Sequence, residues 1–150
     1  MKKIVLIVLV SMSIIACKER NHNSSSENKT EITFKDLDSI KSKNDNMIEE
    51  FLKNNNYRLL NTQFANQWES ESNENIIQFN GKGVFVFLTY NFQTYTKIVT
   101  DLKKSTYKYS GKSIKNNLEL ESYTKNKETI FLYNMINPEN SKKVYSLTFI

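Results

Sequence analysis

Apolar residues past position 33 return at helical spacing: Phe34, Leu37, Ile40, Met47, Ile48, Phe51 and Leu52 fall mostly on one face. Thr33 stands where a helix cap belongs, with Asp36 three positions on, and Asn44 interrupts the stripe. Asn54, Asn55 and Asn56 tolerate the left-handed conformation that closes a helix, so this one should end there and Tyr57 should open the first strand. Residues 59–72 read as extended chain with a bend near Asn66.

Two short strand-like runs, residues 75–79 and 84–90, flank Asn80-Gly81, a dipeptide suited to a two-residue hairpin turn because both residues accept positive φ. The stretch 84–88 has no polar alternation, which predicts a central strand covered at least partly on both faces. Phe92, Tyr95, Ile98, Val99 and Leu102 then keep helical spacing, with Gly111 shortly beyond the end. Three more strands are expected near residues 117–123, 129–135 and 144–150, the last two joined through Asn137-Pro138-Glu139-Asn140.

The two halves align as an internal duplication: Ile48, Leu52, Lys53 and Tyr57 match Ile98, Leu102, Lys103 and Tyr107 at a constant offset of fifty. Glu69, Glu71 and Ser72 match Glu119, Glu121 and Ser122 at the same offset. The predicted fold class is α+β: two helix-plus-three-strand units forming one six-stranded antiparallel sheet, both helices on one face and the other face open. This plan is similar to the tandem helix-and-sheet repeats of the β-lactamase inhibitor proteins. That architectural resemblance implies a sheet that grips another protein.

The leader carries a separate signal. Lys2 and Lys3 precede twelve almost entirely apolar residues, Ile4 to Ile15, too few to span a bilayer, which needs about 20 in helix. The run Ile14-Ile15-Ala16-Cys17 resembles the lipobox of bacterial lipoproteins. It implies a signal peptide over residues 1–16, cleavage before Cys17, and lipidation of that cysteine with acyl chains such as palmitate. Residues 17–31 are the lipidated cysteine and a polar tether, and residues 32–150 form a single α+β domain. Lys18 and Glu19 are faintly similar to surface-export signals of Bacteroidota lipoproteins, and position 18 lacks a retaining Asp, so the cell envelope's outer membrane is favoured over the inner. The leader sets no leaflet.

Composition narrows the chemistry. Nine Phe and eight Tyr favour strands, and the +5 charge falls to about +3 when Lys2 and Lys3 leave (5 − 2 = 3). No Arg-bearing basic face with interleaved aromatics marks a nucleic-acid binder. His22 is the only histidine and lies in the tether, and Cys17 is the only cysteine. The domain therefore has no imidazole base, no thiol nucleophile, no internal disulfide and no His or Cys metal ligand. No cofactor is implied.

Carboxylate, Tyr and Lys chemistry remains. Alternation along a strand places Glu69 with Glu71, and Glu119 with Glu121, each pair on one strand face, with Leu118 and Leu120 pointing inward. Such pairs could bind a cation, or act as acid and base if burial pushes their pKa values apart, and a carboxylate enzyme would need Glu69 and Glu119 to converge in a cleft. Trp68 aligns with Leu118 and is expected in the core under the helices; exposed, it would be a binding anchor. Trp68, Glu69, Glu71, Glu119 and Glu121 are thus the candidate partner-binding residues. The expected role is non-enzymatic binding of a protein or peptide, inhibitor-like or immunity-like, on the open sheet face. The alternatives are a small-ligand carrier with a cavity lined by Tyr95, Phe87 and Tyr133, and a carboxylate enzyme.

Overall fold

The computed structural model describes residues 31–60, 66–72, 74–80 and 83–150. The predicted signal peptide, Cys17 and most of the tether lie outside the described residues. Among the described residues three helices, α1 (Phe34–Ile40), α2 (Asp45–Asn54) and α3 (Phe92–Lys104), accompany eight strands. These are β1 (Tyr57–Leu60), β2 (Asn66–Ser70), β3 (Asn75–Phe79), β4 (Phe85–Thr89), β5 (Lys108–Lys115), β6 (Leu118–Lys125), β7 (Glu128–Ile136) and β8 (Lys143–Phe149). They form one antiparallel sheet in the order β1-β2-β3-β4-β8-β7-β6-β5. The protein is α+β with a single antiparallel sheet, as its pattern predicts, but with eight strands where six were expected and three helices where two were expected.

Each difference has a local cause. Thr33 caps α1 in a reciprocal box, its hydroxyl accepting from Asp36 N at 3.2 Å while its own N–H donates to Asp36 Oδ2 at 2.9 Å. Asn44 then starts a new helix instead of merely interrupting the old one, because its Oδ1 accepts from Met47 N at 3.0 Å. Asn56, at φ 60°, closes the helical segment where three asparagines predicted closure. The stretch 59–72 folds back on itself, so that β1 and β2 pair with Leu59 opposite Trp68.

β5 is the strand that hydrophobic patterning misses. Its sequence is almost wholly polar and its side chains are mostly exposed, because it forms one edge of the sheet. Gly111, at φ 136°, sits at a register shift beside Tyr109, and Lys108, Lys112 and Lys115 line the strand. A bulge and a row of lysines are what keep an open edge from recruiting another strand. Asn116 and Asn117, both at positive φ (48° and 63°), make the two-residue turn into β6.

The hairpin of β3 and β4 is present, but its last paired residues are Phe79 and Phe85, so a longer loop replaces the expected two-residue turn. Gly81, half of the predicted turn dipeptide, lies outside the described residues. β4 is central, and all five of its residues are buried, as the unbroken apolar run requires. It pairs with β8 to join two four-stranded meanders, Phe85 facing Phe149 and Phe87 facing Leu147.

Alternation divides the buried side chains into two clusters. One combines helical residues (Phe34, Leu37, Ile48, Leu52, Ile98 and Leu102 among them) with Trp68, Ile77, Phe85, Phe87, Leu132 and Leu147 from the strands. The other draws only on strands: Ile76, Val86, Leu88, Leu120, Tyr133, Met135 and Val144. The face expected to be open is therefore an apolar surface whose central residues are buried, which follows from strands that are apolar on both sides. The helices make their main strand contacts through α2 with β1 and α3 with β4.

Registers define a transverse row on the helix-contacting face: Leu59, Trp68, Ile77, Phe87, Leu147, Leu132, Glu121 and Lys112, one from each strand. Trp68 belongs to this face. Leu118 and Leu120 belong to the other, so aligning Trp68 with Leu118 at an offset of fifty fails beyond Tyr57 and Tyr107.

Candidate functional site

The predicted site residues separate. Trp68 is 2% exposed, packed in the helix-contacting core with the Lys53 ammonium 5.7 Å from its ring. Glu69 points to the opposite face, is 1% exposed, and accepts a 2.7 Å hydrogen bond from Arg58 on β1. Glu71 lies past the end of β2 in an exposed turn, so it does not share a strand face with Glu69 as expected. Glu119 and Glu121 do share one face of β6, and both hold the Lys112 ammonium, at 2.7 Å and 3.2 Å. Both carboxylates raise the Lys112 pKa, Glu119 first.

Glu69 and Glu119 are on opposite faces and five strands apart, roughly 24 Å at the usual strand spacing of about 4.8 Å. They cannot serve as acid and base to one substrate. The predicted carrier cavity fails on similar grounds. Phe87 lies in the helix-contacting cluster and Tyr133 in the strand-only cluster, so the two cannot line one cavity with Tyr95.

What the structure assembles instead is an aromatic ledge at the start of α3. Asn91 caps the helix, accepting from Gln93 N at 2.9 Å and Thr94 N at 3.1 Å, and thereby fixes where the first turn projects. Phe92 and Tyr95 leave that turn toward Tyr145 of β8, with ring centroids 5.4 Å and 4.8 Å away. Phe92 is 60% exposed. The Lys143 ammonium sits 5.4 Å from the Tyr145 ring.

The ledge continues across the sheet. Register places Tyr145 beside Asn134 on β7, while on the outer strands of the same face Glu119 lies beside the 78% exposed Ile114. Tyr123 and the exposed Tyr109 meet edge to face at 5.5 Å on the same side. Burial pushes the Tyr95 phenol up to about 12, with the neighbouring Glu121 carboxylate adding to the shift, so this hydroxyl stays protonated at neutral pH.

A second polar constellation lies at the opposite end of the strands. The Tyr107 hydroxyl reaches two carboxylates, Asp38 Oδ1 at 3.0 Å and Glu128 Oε2, and offers its single proton to either. Lys41 completes the set, 2.7 Å from Glu128 and 3.4 Å from Asp38, with its ammonium 5.8 Å from the Tyr107 ring. Burial is the leading cause of the raised Tyr107 pKa, followed by the bond to Glu128, while the bond from Lys41 lowers Glu128. The group pins α1 to the end of the sheet.

Two adjoining depressions border it. One of about 200 Å³ is lined by Lys41, Phe85, Tyr107, Glu128 and Phe149; the other, about 510 Å³, lies between the α1–α2 connection and the β3–β4 loop.

Sequence reasoning placed Phe92 and Tyr95 in the buried stripe of a helix and did not single out Tyr145. The ledge is formed by residues about fifty positions apart, and only the β4–β8 pairing reveals it. Among the described residues no three His, Cys, Asp or Glu side chains are grouped to hold a metal ion, and no helix is long and apolar enough to cross a membrane. The chain matches no protein-family model, no curated protein and no solved structure.

Proposed function

We propose that this protein is an envelope lipoprotein, held by lipid on Cys17 at the outer membrane, whose domain binds a protein or peptide partner without catalysing a reaction. The partner relationship is of the inhibitor or immunity type. The observation that carries the reading is the stack of the exposed Phe92 on the half-buried Tyr95 and Tyr145, since a large ring in water backed by further rings is the kind of residue that anchors interfaces. The ledge replaces the open sheet face as the binding surface. In the same reading the helices form one layer on one face of the sheet, and the two meanders descend from one duplicated unit. Ile48 with Ile98, Leu52 with Leu102 and Tyr57 with Tyr107, buried alike in both halves, support the duplication.

The test is photocrosslinking in intact cells, with a benzoylphenylalanine at position 92 and another at position 50 on α2 as the control. One specific partner captured at 92 and not at 50, whose purified form binds the wild type and loses affinity to Tyr145→Ala, is the expected result. Equal capture at both positions, or none, removes the ledge from the reading. In the same cells Cys17→Ala should leave the membrane fraction or stay unprocessed; unchanged fractionation would overturn the anchor.

The open depression of about 510 Å³ between the α1–α2 connection and Phe79, Val84 and Phe85 is the place for a second reading, a small-ligand carrier. A small molecule retained by the purified protein in native mass spectrometry, and lost on Ile48→Trp, would favour it.

A further inference from the structure

We propose that the ledge recognises a cationic side chain, a lysine or preferably an arginine of the partner, and that Lys112 and Lys143 occupy its places in the unbound domain. The inference rests on the partner-binding reading and adds the chemistry of the partner. Two ammonium groups already sit on this surface, Lys143 at the Tyr145 ring and Lys112 between Glu119 and Glu121. Ring faces and paired carboxylates attract the same kind of ligand for different reasons. The rings offer negative quadrupole density and the acids offer full charge.

Both resident cations are easily displaced. Lys112 has half of its side chain in water, and exposed ion pairs of this kind add little to stability. A guanidinium has advantages over either lysine. It stacks flat on a ring, forms parallel bonds with carboxylates, and is more weakly hydrated than an ammonium. Among the described residues the one arginine, Arg58, lies on β1 at the far edge of the sheet, paired with Glu69, so the domain supplies no guanidinium of its own to the ledge. The net charge, +5 for the full chain and about +3 once Lys2 and Lys3 leave, sharpens the point, since a cationic peptide is repelled by the molecule at large and gains only by displacing Lys112 from Glu119 and Glu121.

The experiment uses fluorescein-labelled tetra-arginine, tetra-lysine and tetra-glutamate peptides against the full chain in detergent, read by fluorescence anisotropy at low salt. Tetra-arginine should bind more tightly than tetra-lysine, and tetra-glutamate should not bind at the ledge. Lys112→Met should tighten tetra-arginine binding several-fold by freeing Glu119 and Glu121. The double variant Glu119→Gln, Glu121→Gln should weaken it about tenfold, as expected when charge-assisted bonds become neutral ones. Tetra-arginine binding no better than tetra-glutamate, or unaltered by Lys112→Met, overturns the inference. A partner captured at position 92 in cells while tetra-arginine fails leaves the binding surface standing and removes only its cationic preference.

Discussion

Trp68 and Glu121 stand in one transverse row, on one face of one sheet, each on the strand next to an edge, yet one is core and the other is surface. Trp68 packs with helical residues and is 2% exposed; Glu121 meets water and the Lys112 ammonium. The backbone is the same at both places. What differs is the side chain and the layer above it, for the helices meet the strands mainly at β1 and β4. The helices cover this face toward β1 and β4 and leave Glu121 at the surface.

Substitution at the row should break the comparison most sharply. Trp68→Ala is expected to cost about 3–5 kcal/mol in urea denaturation, the usual range for deleting a buried tryptophan, whereas Glu121→Ala should stay within about 0.5 kcal/mol. Equal losses would mean that Glu121 is as much a part of the core as Trp68. Next in size is Tyr107→Phe, which removes the donor shared by Asp38 and Glu128 and should cost about 1.5–3 kcal/mol, the range for hydrogen bonds to charged groups. No loss would show that Lys41, and not the Tyr107 hydroxyl, carries the polar part of the pin.

The same pin gives a pH signature. Glu128 has a folded-state pKa below its ordinary value, first through Lys41 and then through Tyr107, so it contributes stability above the ordinary carboxylate range. That contribution disappears as pH falls through the depressed value. Denaturation of wild type and Glu128→Gln at several pH values should show the two curves converging in acid and separating near neutrality; parallel curves would assign the acid sensitivity elsewhere. The smallest effect is expected at Lys112→Ala, which should leave the melting temperature unchanged, because the lysine is exposed and its pairs are at the surface. A lowered melting temperature would make Lys112 a structural residue.

Much of the fold was legible because its signals are local. The Thr33 box, the asparagine closure at 56, the β3–β4 pair and the Ile98–Leu102 part of the α3 stripe depend on neighbours within a few residues, and each stands where the pattern placed it, whereas Phe92 of that stripe is exposed. Asn44 was read as a flaw in one helix because a cap and an interruption look alike in a pattern of apolar positions. β5 escaped because an edge strand has no buried face to write into its sequence. For the site, the alternation that paired Glu119 with Glu121 held, since β6 runs through both. It failed for Glu69 and Glu71 because β2 ends at Ser70, between them. The Phe92–Tyr95–Tyr145 ledge is set by a pairing between distant strands, and such pairings leave no trace in spacing.

That distant pairing also governs when the domain can exist. β8 lies at the centre of the sheet although it spans residues 143–149, and it is the only partner of β4 beyond β3. Each meander can begin locally, but the seam closes a loop of more than fifty residues, the kind of contact that slows folding. A chain emerging from the ribosome therefore holds no finished sheet until β8 has been made.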